Sequence, residues 1–214
     1  MAQNTIPYDV VDACSIKHTF KNASLIWPKL LEADTKFNPV FTTGVRFESE
    51  EDPALVSFLN LCDQALQSFI EAVEKGQYVK KPKGGWKVHD VRTREVDEDD
   101  DNNEAVFVNV KCKAVDHKGN DRSLVVVDAA RNPIPRTTSI GGGSVANVVC
   151  SLRPFYMPTL GFGVSLRLEA VQILKVRSGS SAVNPESEFD IVEGGFTAAP
   201  VAEDDEVPAG DGDF

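Results

Sequence analysis

The chain has 214 residues, 42% of them hydrophobic and 26% charged, ordinary proportions for a globular domain with room for one core. No apolar run approaches the roughly 20 residues that span a bilayer, and Met1 to Asp12 holds no basic segment followed by an apolar stretch, so neither a membrane anchor nor a secretion signal is expected. The net charge of −11 is unevenly placed: residues 178–214 carry ten acids and no Lys or Arg, Glu95 to Glu104 carries seven acids and no base, and the remainder stands at +6.

In chain order, residues 16–27 and 40–47 read as short strands, with Trp27 beside Pro28 taken as a packing residue. Residues 53–75 predict a helix. Asp52 can cap it, Pro53 suits its first position, and Leu55, Phe58, Leu59, Cys62, Leu66, Phe69, Ile70 and Val73 form one apolar stripe that Gly76 ends. The linker 75–94 holds seven bases, one acid, Tyr78 and Trp86. Residues 95–104 are too charged to pack and read as a loop.

From Ala105 to Lys113 the pattern alternates. Val106, Val108, Val110 and Cys112 lie on one face, and Phe107, Asn109, Lys111 and Lys113 on the other. The turn His117-Lys118-Gly119-Asn120 leads to a strand over 122–128, rich in β-branched residues. Gly141-Gly142-Gly143-Ser144 lacks the Lys-Ser/Thr ending of a phosphate loop and reads as a tight turn. Strands are expected over 144–152 and 164–176, joined by a connector at Arg153 to Pro158. Residues 178–214 have the composition of a disordered acidic tail ending in Phe214. The expectation is a mainly β protein, an OB-fold-like antiparallel β-barrel capped by one α-helix, over residues 1–177.

Enzyme signatures are weak, and no catalytic residue, metal or cofactor is assigned. Cys14, Cys62, Cys112 and Cys150 are scattered, and there are only three histidines, so neither a zinc site nor a disulfide framework is expected. Asp97 to Asp101 form a run in a loop without the preorganisation of a catalytic metal site. No Ser-His-Asp or Cys-His pairing stands out.

Holding an unpaired nucleic acid strand takes cations spaced along a groove and aromatic faces on which bases stack. The candidates are Phe107, Lys111 and Lys113, then Arg153, Phe155, Tyr156 and Arg167. The linker adds Lys80, Lys81, Lys83, Trp86 and Lys87. Each has a plainer alternative: Phe107 as core, Phe155 and Tyr156 as an apolar corner, the linker as a solvated loop. In the tail, Glu203, Asp204, Asp205, Glu206, Asp211 and Asp213 form a row of charges before the ring of Phe214. That row can imitate a nucleic acid strand in the protein's own groove, or dock on a basic pocket of a partner.

Several motifs together resemble the single-stranded DNA-binding proteins of short-tailed, podovirus-type bacteriophages. They are Ser123-Leu124-Val125-Val126-Val127-Asp128, Ile140-Gly141-Gly142-Gly143-Ser144, Ser151-Leu152-Arg153-Pro154-Phe155, Gly161 through Val164, Leu166 to Val171, and the ending Gly210 to Phe214. The helix opening at Asp52-Pro53 and the Lys111-Cys112 strand agree. The resemblance implies an OB-fold barrel, a homodimer and strand annealing. It also implies a non-enzymatic coat for unpaired DNA in phage replication, recombination and repair, acting in the cytoplasm of the infected bacterial host. The acidic tail would contact the phage DNA polymerase and the helicase-primase. Phe155 matches an aromatic after a proline, whereas Arg153 stands where an apolar residue is expected. The first 50 residues match poorly, leaving Lys17, Lys21, Lys29 and Arg46 without a role. A virion or scaffold protein built on a β-domain is the alternative, and it does not need an exposed row of lysines and rings.

Overall fold

The computed structural model describes residues 6–36, 38–96, 104–116 and 119–177. The tail beyond 177, the acidic run 97–103 and the turn residues His117 and Lys118 lie outside the described residues. So do the tail residues named above. Two helices, α1 (Tyr8–Ala13) and α2 (Pro53–Gly76), accompany seven strands: β1 (Ile16–Asp34), β2 (Val40–Phe47), β3 (Arg92–Val96), β4 (Glu104–Lys113), β5 (Val125–Val127), β6 (Val145–Met157) and β7 (Gly161–Lys175).

Five of these strands close on themselves. β1 pairs antiparallel with β2 and β6, β2 with β4, and β6 with β7. A parallel contact of Lys111 on β4 with Arg167 on β7 completes the ring. The circuit β1-β2-β4-β7-β6 is the five-stranded, partly open Greek-key arrangement of the OB fold. β3 and β5 extend the exposed edges of β4 and β7 on either side of that seam.

Period-2 alternation places the core. Val106, Val108 and Val110 of β4, Ala146, Val148, Cys150 and Leu152 of β6, and Leu166 and Leu168 of β7 all point inward and are buried. A bulge in β1 between Phe20 and Ala23, where Asn22 takes φ 52°, keeps both of those residues inside. The apolar stripe of α2 packs on β6 and β7, with Phe58, Phe69 and Val73 fully buried. Phe58 meets Phe20 at 4.8 Å, and Phe69 meets Phe162 at 5.8 Å. Asp52 caps the helix by accepting the Ala54 N–H at 2.8 Å.

Several expectations are corrected. β1 runs 19 residues rather than 12, because a second bulge after Ile26 lets the strand bend past Pro28 and keep pairing with β2. Residues 153–157 are not a connector but the end of β6, paired to β7 as far as Met157–Gly161. Pro154 causes no break, because β1 pairs with β6 only as far as Leu152 and Pro154 therefore has a partner strand, β7, on one side only. Glu95, Val96 and Glu104, expected in the acidic loop, belong to β3 and β4. Only Val125–Val127 of the 122–128 segment is strand. α2 ends at Gly76, but Gly76 is still helical and is not the residue that turns the chain. Gln77 takes the left-handed turn, and Gly76 is needed because a β-carbon there would lie 2.1 Å from the Tyr78 ring. The Gly141–Ser144 turn is as expected, with Gly143 at φ 81° and the buried Ser144 hydroxyl donating to the Gly141 carbonyl at 2.7 Å.

Candidate nucleic-acid interface

The barrel seam sets two cations side by side. Lys111 and Arg167 occupy facing register positions on adjacent strands, about 4.8 Å apart in backbone spacing, and both point outward. Like charges directly opposite each other on a sheet destabilise it unless an anion lies between them. Their neighbours add to the field. Lys111, Lys113, Arg122, Arg153 and Arg167 line one cleft of about 810 Å³, against Asp34 and Asp116. Among the described residues Lys111, Lys113, Arg122 and Arg167 form no ion pair. Arg153 does, donating to the Asp12 carboxylate of α1 at 2.6 Å. Burial raises the Cys112 thiol in this cleft, and the positive charges of Arg167 and Arg122 partly offset that rise.

A second cleft of about 850 Å³ adjoins the first, sharing Tyr8, Arg153 and Ser165. Its lining is aromatic: Tyr8, Tyr78, Phe155 and Tyr156, with Lys80 at its side. Phe155 lies on the outward face of β6 over Gly163, where a β-carbon would come within 2.7 Å of the ring. Any larger residue at 163 would displace that ring. Tyr156, half-buried, lines the same cleft while packing 4.8 Å from Phe162. The two clefts form one track, cations first and rings second, along β4, β7 and β6.

Of the sequence candidates, Lys111, Lys113, Arg153, Arg167, Phe155, Tyr156 and Lys80 converge on this track. Phe107 does not. It is only 4% exposed, covered by Trp27 at 5.6 Å, so it offers no face to a base. Trp86 is also a packing residue, edge-on to Phe162 at 4.9 Å, and its indole N–H donates to Glu74 at 2.8 Å. Lys81 holds the same carboxylate at 2.8 Å. The hydrogen bond from Lys81, then that from Trp86, keeps the Glu74 carboxyl below its ordinary range. Lys83 and Lys87 are exposed and line neither cleft. Residues missed from the sequence are Tyr8, 81% exposed where the clefts meet, and Arg122, four residues beyond Lys118 in what looked like a strand. The pattern Tyr8-Asp9-Val10-Val11-Asp12 is a short amphipathic turn that signals a helix, but nothing local says that it docks at the groove.

Among the described residues no cluster of His, Cys, Asp and Glu is arranged to hold a metal ion, and no helix is long and apolar enough to cross a membrane.

No family model matches the chain. Over 96 residues it is 33% identical to the single-stranded DNA-binding protein of Enterobacteria phage T3, a stretch covering 44% of this chain and 40% of that relative. Its fold matches the crystal structure of gp2.5, a single-stranded DNA-binding protein encoded by bacteriophage T7, with a TM-score of 0.55 and 20% identity, over 86% of this chain and all of the other. The single-stranded DNA-binding protein of bacteriophage Enc34 aligns with a TM-score of 0.47 and 14% identity, over 82% of this chain and 89% of that one. The resemblance drawn from the motifs is thereby borne out: the chain is similar to phage single-stranded DNA-binding proteins and shares the OB-type barrel of the T7 protein.

Proposed function

We propose that this chain is a non-enzymatic single-stranded DNA-binding protein of a bacteriophage, which coats and protects unpaired DNA during replication and recombination and promotes strand annealing. The observation that carries the reading is the like-charged seam, Lys111 beside Arg167, opening into a cleft lined by rings. Phosphates relieve the repulsion at the seam, and bases stack on Phe155 and Tyr8. Each stacked base is worth about 1–3 kcal/mol and asks for no particular sequence. The likeness to the phage T3 protein supports the same ligand.

The acidic tail, with Glu203, Asp204, Asp205, Glu206, Asp211, Asp213 and Phe214, is proposed to shield the cleft when DNA is absent and to be released by DNA. It then meets the phage DNA polymerase and helicase-primase. The chain acts as a homodimer in the cytoplasm of the infected host. Ten acids in residues 178–214, against a cleft in which four cations form no ion pair among the described residues, support this charge exchange.

A titration of labelled oligothymidylate and of duplex DNA tests the reading. Strong preference for the single strand is expected, and Phe155→Ala is expected to lose about 1–3 kcal/mol of it. Equal affinity for both forms would defeat it. Deleting 203–214 should tighten binding at low salt, where charges are least screened. Unchanged low-salt affinity would remove the shielding role.

A further inference from the structure

Trp27 is the largest exposed side chain of the sheet that the track does not use. It is 59% exposed and held at φ 43°, a backbone region that a bulky aromatic rarely adopts. The bulge between Ile26 and Lys29 produces that conformation and turns the indole outward. The ring leans from β1 across β2 to meet Phe107 on β4 at an interplanar angle of 88°. Gly44 of β2 lies against the same Phe107 ring. A β-carbon there would come within 3.3 Å of the Phe107 ring. With the residue 59% exposed, this edge-to-face contact leaves much of the indole open to solvent.

The surroundings are cationic. Lys29 and Arg46 are exposed near it on β1 and β2. Lys29 faces Thr42, Thr42 faces Lys111, and Lys111 faces Arg167, so one row of register positions runs from beside Trp27 to the seam. Successive strands are about 4.8 Å apart, and the row is therefore about 15 Å long. Among the described residues neither Lys29 nor Arg46 has an ion pair. An exposed ring supported from behind, with unpaired cations on a row leading to a phosphate-binding seam, is the combination that sequence-tolerant strand binding uses.

We propose that Trp27 is a second base-stacking platform, which carries the bound DNA past the seam onto the outward face of β1, β2 and β4. The inference rests on the single-stranded DNA reading above. Phe107 then acts as a positioning residue, buttressing the indole without touching the ligand.

The test uses the full chain and a fluorescent oligothymidylate of about 15 nucleotides, near the upper site size of an OB fold. Trp27→Ala is expected to weaken binding by about 5- to 140-fold, the range for one stacked base. Trp27→Phe should restore most of the loss, and neither variant should change the salt slope, since no charge is removed. In the wild-type protein, DNA should quench indole emission and protect it from acrylamide. That change should be largely absent in Trp27→Ala, whose remaining Trp86 is packed on Phe162. Full affinity in Trp27→Ala, or no protection of the wild-type indole, overturns the inference and leaves the DNA-binding reading standing. If the wild-type protein shows no preference for single strands, both fall together.

Discussion

Four cations of the seam cleft make no ion pair among the described residues: Lys111, Lys113, Arg122 and Arg167. Arg153 is discounted, because Asp12 already neutralises it at 2.6 Å. If each of the four meets one phosphate of a single strand, the log–log salt dependence of affinity has a slope of about −2.8, at about −0.7 per contact. Between 50 and 200 mM salt the affinity then falls about 50-fold. The double substitution Lys111→Gln and Arg167→Gln removes both members of the seam. It should halve the slope to about −1.4 and reduce the fall over the same range to about 7-fold. Fluorescence anisotropy of a labelled oligothymidylate at four salt concentrations measures it. Stability should change little, because the repulsion removed from the facing positions is offset by the lost attraction between Arg167 and Glu169. A slope unchanged within error, with the variant folded, would refute the placement of phosphates at the seam.

Gly161→Ala should destabilise the fold and loosen the basic linker. Gly161 sits at φ 88°, and a β-carbon there would lie 2.3 Å from the Lys87 carbonyl oxygen, which accepts the Phe162 N–H at 2.8 Å. The backbone conformation alone costs about 1–3 kcal/mol, read as a lower urea midpoint, and an unchanged midpoint would contradict the packing. His18 lies between Phe20 and Phe58, and burial lowers its pKa below the ordinary 6.5. The unfolded chain therefore takes up a proton first, so this contribution to stability is complete above about 6.5 and is lost as pH falls through the lower folded value. His18→Gln should flatten the pH dependence of the urea midpoint below that point, and identical profiles would count against it. Burial pushes the Cys62 and Cys150 thiols up to about 12. Both should resist a thiol-specific disulfide reagent at neutral pH until the protein is denatured, and rapid reaction of all four cysteines would show that the core is open.

Much of the architecture is legible along the chain because it depends on local periodicity. The stripe from Leu55 to Val73 and the cap at Asp52 specify α2 whatever surrounds them. The alternation from Val106 to Val110 specifies which face of β4 is core. Segregation of acids into 95–104 and 178–214 is likewise a property of the sequence, and it leaves the barrel free to carry a positive cleft. Tertiary structure decides what a residue faces. Phe107 and Lys111 share one face of β4, yet Phe107 is covered and Lys111 is not. The difference lies on β1, where the strand is bulged after Ile26 and Trp27 packs against Phe107. The pairing of Lys111 with Arg167 arises only when the barrel closes, since strands 56 residues apart in sequence meet there in one parallel contact. Periodicity along a strand is local information, whereas closure brings together distant residues that no local spacing relates, and the site is made where that happens.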